Sequence, residues 1–406
     1  MSIISRAIAL LRNEGLLRTL KQVFIKCLML IIRIPNMSGE IIFKRSKVAR
    51  LRETVKGKKV FIVIPSIDWH TPLFQRMHQI ASALSKLDNC IVLFVSDQAR
   101  FDNFCFSEMI SQSLYLYSIR AISSLDDILG GTTQTTLVMY WPKHYGLLSR
   151  FKYDKFVYEY VDEMRLSYYY SETVEKQHIE LLQLADLTTA TADILYQKAK
   201  PYAKKLILCP NAGDYDFFKA GRECDTNNQL SSITDKYQCI FGYYGALAAW
   251  FDYELVIEIA KRRPDWAFIL IGYDYDDTVS KVKGAALDNV RYLGPRPYED
   301  LPSYVSGFDI QIIPFVVNEI TMSTSPVKLF EYMASGKPIL TSDMPECRKY
   351  SSVYRYSDSN DFVEKAQRLM QLKNDLDYMR ILDREAAMNT WTSRVDQIIN
   401  ELETLA

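Results

Sequence analysis

The stretch Ser325-Pro-Val-Lys-Leu-Phe-Glu331-Tyr-Met-Ala-Ser-Gly336 reads as one helix with both ends marked. Ser325 is a good N-cap. Pro326 is a favoured first helical residue, because it has no N–H to leave unpaired and its φ is already helical. Gly336 suits the left-handed position past the last turn. Phe330, Met333 and Ala334 form an apolar core face. Upstream, Ile312-Ile-Pro-Phe315 ends a strand, and a polar loop over 317–325 leads into the helix. The helix start therefore presents unpaired N–H groups and a positive dipole end, an anion site suited to a diphosphate. Lys328 lies in the first turn, where a cation is mildly unfavourable unless it meets an anion. Glu331, three residues on, shares that face, about one turn deeper, where a carboxylate can accept from two ribose hydroxyls. Taken alone, the pattern equally fits a capped surface helix with a Lys–Glu pair, so the rest of the chain decides.

Outward from this helix, short apolar runs alternate with helical segments. Val60-Phe-Ile-Val-Ile64, 91–95, 137–141, 156–161 and 187–190 read as buried strands, with helices over 75–87, 172–184 and 193–200 between them. A second series starts at Leu206–Cys209 and continues at 239–243, 268–271, 290–293, 310–313 and 338–340. Strands alternating with helices predict parallel sheets with crossover helices. The fold class is α/β: two Rossmann-like, doubly wound domains facing a cleft. The domains are placed at 58–204 and 205–385, with a terminal helix over 386–406 packing back on the first. The polar segment 221–229 reads as a surface insertion. The 406 residues suit two cores.

The first strand is followed by Pro65-Ser-Ile-Asp-Trp-His-Thr-Pro72, not by a Gly-x-Gly-x-x-Gly turn, which argues against a dinucleotide oxidoreductase. No Walker-type phosphate loop occurs either. The seven Cys are scattered with no Cys-x-x-Cys pair, and the four His lack zinc spacing, so a reducing compartment and no metal site are expected. Asp274-Tyr-Asp276 and Asp214-Tyr-Asp216 both match a metal-holding Asp-x-Asp, and two matches in one chain show how weak that pattern is.

Net charge is zero, but residues 1–59 hold fourteen Lys/Arg against three acids, leaving the remainder at −11. Apolar residues recur at helical spacing from Ile3 to Phe24, and Cys27–Ile32 is bracketed by Lys26 and Arg33. That run is too short to span a bilayer. Residues 1–57 are thus a basic amphipathic helical extension, suited to an anionic membrane surface; a helix packed on the body is the alternative. No recognition helix supports nucleic acid as partner.

Several segments resemble one family in order and spacing. Ser325 through Leu340 is similar to the donor motif of GT-B glycosyltransferases related to family 4, including those of teichuronic acid, capsule and O-antigen assembly. Trp69–Arg76, Tyr158–Glu163, Ala185–Leu187, Pro210–Phe218, Gly242–Asp252, Leu293–Tyr298 and Trp391 with Arg394 also resemble that family, over residues 58 to 400. The resemblance implies transfer from a nucleotide diphospho-sugar without a metal or other cofactor. Glu331 would hold the ribose, Thr324 and the backbone of Ser325, Pro326 and Val327 the diphosphate end, with Gly245 and Ala246 as phosphate loop and Arg296 and Pro297 flanking the base. Lys328 would stabilise the leaving group. The acceptor side offers Asp162, Glu163, His144 and Asp68, of which Asp162 and His144 lead. The expected acceptor is a lipid-linked glycan at the cytoplasmic face of the membrane. The chain departs from the pattern at Ser323, where many members carry a second Glu, and at Ala246 and Phe251, in place of a basic pair. A nucleotide-sugar epimerase or a catalytically weak scaffold of the same fold are the rival readings.

Overall fold

The computed structural model describes residues 48–71, 74–96, 107–166 and 169–405. The extension called over 1–57 lies outside these residues up to 47. Its end, 48–55, is helical and buries Leu51 and Val55 in the core of the first domain.

Among the described residues the first sheet has eight strands, in the order β3-β4-β2-β1-β5-β6-β7-β8. They are β1 (Lys59–Ile64), β2 (Cys90–Ser96), β3 (Ser107–Ser111), β4 (Leu114–Ser118), β5 (Gln134–Met139), β6 (Lys155–Tyr160), β7 (Leu187–Ala190) and β8 (Leu206–Leu208). Only the β3–β4 pair is antiparallel. The second sheet has six strands, all parallel, in the order β11-β10-β9-β12-β13-β14. These are β9 (Cys239–Tyr244), β10 (Trp266–Ile271), β11 (Val290–Gly294), β12 (Ile310–Ile313), β13 (Ile339–Ser342) and β14 (Val353–Tyr356). Their central strands are buried on both faces, which is why they read as unbroken apolar runs rather than as alternating ones.

Leu206–Leu208 corrects the expected division. It pairs in parallel with β7 and closes the first sheet instead of opening the second. The segment is partly exposed, as an edge strand is, and carries no signal of which sheet it joins. The helix Trp391–Glu403 lies against the helix Arg76–Leu84: Trp391, Val395, Ile398 and Leu402 share one apolar cluster with Met77, Ile80 and Leu84. The chain thus ends on the domain where it began. The segment 221–229, read as an insertion, is pinned by Arg222, which donates to the Ala334 carbonyl (2.8 Å) and to Asp383 (2.9 Å).

In each sheet the strand order reverses beside the first strand of its series: between β1 and β5, and between β9 and β12. Ligands of open α/β sheets bind outside the carboxyl ends of strands at such points. Two cavities lie at the carboxyl ends of these strands.

Candidate functional site

The first cavity, of about 200 Å³, lies at the carboxyl ends of β9 and β10. Its wall is made possible by two glycines. Gly245 has φ +133° and Gly272 φ +145°, and a Cβ at 272 would meet the Gly245 carbonyl oxygen at 1.9 Å. A side chain at 245 would strike Lys328 Cε at 2.6 Å. The floor is the helix Val327–Ser335. Val327, Lys328 and Glu331 all line the cavity, so the spacing read from sequence does bring the cation and the carboxylate to one face.

Glu331 is 4% exposed. Tyr298 donates to its Oε1 (2.7 Å) and Tyr244 to its Oε2 (2.9 Å). Burial raises its pKa, against the opposing pull of those two hydrogen bonds and of Lys328. Each carboxylate oxygen retains a lone pair for a ligand hydroxyl. Lys328 is pulled down to about 8 by burial, with Glu331 acting the other way. Its Nζ stands 5.2 Å from the Tyr243 ring centroid and 5.1 Å from that of Phe315. An amine held among aromatic rings beside unpaired helix N–H groups is primed to gain charge stabilisation when an anion arrives.

The helix start differs from the expectation. Pro326 occupies the cap position and the helix begins at Val327. Ser325 is not free to cap, because the interdomain linker takes it: the Asn211 N–H donates to Ser325 Oγ (3.1 Å) and Asn211 Nδ2 to the Ser325 carbonyl (2.6 Å). Ser325 and Pro326 are buried in this junction, so of the three amide positions expected at the diphosphate only Val327 lines the cavity. Thr324 turns to the second cavity with Ser323. Arg296 lines the first cavity together with Pro295 and Tyr298, but Pro297 is not among its lining residues. Arg296 is held by Tyr304 (2.9 Å) and Gln229 (3.0 Å). Gly245 and Ala246 line the cavity. At the departures, Ala246 offers only its backbone, and Phe251 is packed between Tyr243 and Tyr253 in the core. Ser323 Oγ donates to the Glu319 and Ile320 carbonyls.

The junction residues were not picked out from the sequence as a network. Arg76 is 2% exposed and donates to Glu159, itself 0% exposed, at 2.5 Å. It also donates to the Pro210 carbonyl (3.0 Å) and to Asn211 Oδ1 (3.3 Å). Burial alone would lower the Arg76 pKa, but Glu159 more than offsets it and keeps the guanidinium charged. Arg394 of the terminal helix donates to the same Pro210 carbonyl (2.9 Å). Both domains and the terminal helix thus grip one linker, which in turn grips the peptide ahead of the Lys328 helix. Gly213 lets it run close: a Cβ there would meet Glu331 N at 2.8 Å.

The second cavity, of about 460 Å³, lies between the domains. Asp162 opens onto it and is exposed to the cleft, while the surrounding protein raises its pKa by desolvation. His144 does not join Asp162. It borders a separate pocket of about 100 Å³ with Ser66 and Asp68. The Asp-x-Asp candidates serve local structure: Asp276 accepts from Ala249 N (2.8 Å) and Thr278 Oγ1 (2.6 Å), Asp274 from Val279 N (3.3 Å), and Asp214 caps a helix through Phe217 N (3.3 Å). Among the described residues no three His, Cys, Asp or Glu gather as a metal site.

Solved structures share this architecture. A sucrose-phosphate synthase from Thermosynechococcus elongatus superposes with TM-score 0.63 at 15% identity, covering 86% of this chain and 99% of that one. Anabaena HepE in complex with UDP and glucose gives 0.59 at 13%, covering 86% and 100%. The Escherichia coli trehalose-6-phosphate protein bound with UDP-2-fluoro glucose gives 0.64 at 10%, covering 84% and 98%. Residues 241–372 match the family Glycosyl transferases group 1. The chain has the GT-B fold of these neighbours, and its second domain is similar to the group 1 glycosyl transferases. A Bacillus subtilis relative, assigned by name to teichuronic acid biosynthesis as a glycosyltransferase, is 25% identical over 244 residues, 58% of this chain and 61% of that one. The match therefore spans about three fifths of that relative. The family match falls on the domain that carries the Lys328–Glu331 helix and the Gly245–Gly272 wall.

Proposed function

We propose that this GT-B protein is a glycosyltransferase that takes a sugar from a nucleotide diphospho-sugar and passes it to a glycan acceptor. The observation that carries the reading is the glycine-walled cavity with Lys328 and Glu331 on one helix face. Glu331 accepts from the ribose hydroxyls, Arg296 stands beside the base, and Lys328 with the first helix amides faces the diphosphate. The bond between the sugar's anomeric carbon and the β-phosphate oxygen breaks, and the leaving diphosphate keeps the electron pair. Lys328 and the N–H groups stabilise that charge. The acceptor hydroxyl forms the new bond, and Asp162 takes its proton. The proposed reaction runs without a divalent metal. In support, HepE, which shares this fold, was solved in complex with UDP and glucose.

The acceptor is proposed to be a lipid-linked glycan or growing polysaccharide. In support, Val316, Val317, Ile320 and Met322 are exposed, and Ile320 also lines the second cavity, so an apolar surface continues from that cavity. Among the described residues no helix is long and apolar enough to cross a membrane. The basic segment ahead of the 48–55 helix would instead hold the enzyme on the inner face of an anionic membrane. A screen of radiolabelled nucleotide sugars with membrane extract as acceptor, in EDTA, tests the reading. It predicts label transferred to glycan and lost in Glu331→Ala. Turnover of donor without acceptor, into an isomeric nucleotide sugar, would contradict it.

A further inference from the structure

We infer that the second cavity selects an acceptor ring bearing no anionic group, a neutral or amino sugar, and rejects sugar phosphates and uronates. This rests on the glycosyl-transfer reading and assigns the acceptor class at its open end.

Two aromatic pairs, one from each domain, border this cavity. Trp141 and Tyr169 come from the first domain, with ring centroids 6.4 Å apart; Trp250 and Tyr275 come from the second, 6.0 Å apart. Tyr169 and Tyr275 are 57% and 67% exposed. The Tyr275 ring, at the mouth of the cleft, gains if an apolar face covers it. Flat apolar faces on both sides fit a pyranose, whose axial C–H groups form an apolar face and whose hydroxyls lie at the edge. Asp162 and Thr324 line the same cavity and offer side-chain oxygens to that edge.

Charge sets the class. The titratable residues on the described lining are Asp162, Glu163, Tyr140, Tyr169 and Tyr275, with no Lys or Arg among them. Glu163 is paired with Lys198 and accepts from Arg165 N. Asp162 has no ion pair among the described residues, and desolvation alone raises its pKa, with no cation holding it down. A phosphate or carboxylate entering here meets a carboxylate without a counter-charge. Lys143 is near, but its Nζ sits over the Tyr169 ring at 3.9 Å and it is not a lining residue. Like charges at contact in a partly dehydrated cleft repel strongly enough for discrimination of about tenfold or more. An ammonium group on the ring would be attracted by the same carboxylate and by the ring faces.

The test uses the full chain with UDP present. Methyl glucoside, methyl glucosaminide, methyl glucuronide and glucose 6-phosphate are titrated, and binding is read by calorimetry and by tryptophan fluorescence, assigned with Trp141→Phe and Trp250→Phe. The account predicts that the neutral and amino sugars bind about tenfold or more tighter than the two anionic ones. Asp162→Lys should reverse that order. Tyr275→Ala, at an exposed position that the fold tolerates, should weaken the neutral sugar about tenfold. Anionic sugars binding as well as neutral ones, indifference to Asp162→Lys, or no saccharide binding at all would overturn the inference. UDP binding is scored in the same samples. UDP that binds wild type but not Glu331→Gln, together with the wrong saccharide order, rejects the acceptor class alone. UDP that ignores Glu331 rejects the donor reading instead.

Discussion

In the half of the cleft beside β9 and β10, Gly245 and Gly272 bring two turns so close that no Cβ fits between them, and a half-buried Lys and a buried Glu project from one helix. In the half between the domains, the walls are half-buried Trp and exposed Tyr side chains around an open carboxylate. The first half is shaped by backbone and is rigid before any ligand arrives. The second is shaped by side chains that can rotate. A shared diphosphate handle suits the first design, because its geometry does not vary. A variable glycan suits the second.

This contrast can be broken or sharpened by substitution. The largest effect is expected at the backbone wall. Gly272→Ala forces a Cβ onto a carbonyl and a side chain into a φ that only glycine adopts readily. It should lower stability by several kcal/mol, on the order of a strained core position, and abolish nucleotide binding, measured by denaturation and calorimetry. Next is Glu331→Ala, which removes the ligand's acceptor and leaves the Tyr298 and Tyr244 hydroxyls without their partner. A loss of about 100-fold or more in kcat/KM is expected.

Lys328→Met separates binding from stability. Wild-type Lys328 has its folded pKa drawn down to about 8 from 10.5. The unfolded chain therefore holds that proton more tightly, and folding stability rises as pH climbs from about 8 to 10.5. The variant should lack that rise, gain on the order of 2 kcal/mol at pH 7, and lose turnover by about 100-fold. Donor affinity in wild type should fall as pH passes above about 8, where Lys328 loses its charge. Asn211→Ala removes the two bonds to Ser325. The helix start loosens without losing its charges, so a rise in donor KM of about tenfold, with a smaller change in kcat, is expected.

Much of this was legible from residue order. The helix Val327–Ser335, its Lys–Glu face and the central strands follow from local patterns: Gly336 does adopt a left-handed φ of +74°, and Val60–Ile64 is a strand because it is apolar throughout. What could not be read was decided across the chain. Leu206–Leu208 joins the first sheet because β7 pairs with it, which no local residue announces. The strands β3, β4 and β14 were not anticipated. Leu114-Tyr-Leu-Tyr-Ser118 and Val353-Tyr-Arg-Tyr356 mix polar and aromatic residues, and only their partners make strands of them. Ser325 has a strong capping tendency, but Asn211, more than a hundred positions earlier, claims its hydroxyl. Thr324 and His144 drifted from the places assigned to them because a motif gives sequence neighbours, not which side of a cleft each one faces. The aromatic pairs of the second cavity were invisible for the same reason, each being drawn from two distant loops.

The measurement that bears most directly on the account is a thermal-shift titration of the full chain with a panel of nucleotide diphospho-sugars in EDTA, beside the corresponding nucleoside monophosphates. Ligand bound to the native state alone raises Tm as its concentration exceeds Kd. The account predicts that at least one nucleotide diphospho-sugar raises Tm by several degrees, that the monophosphates do so far less, and that Glu331→Gln and Lys328→Met each remove the shift. No shift with any nucleotide sugar, or an undiminished shift in both variants, would contradict it.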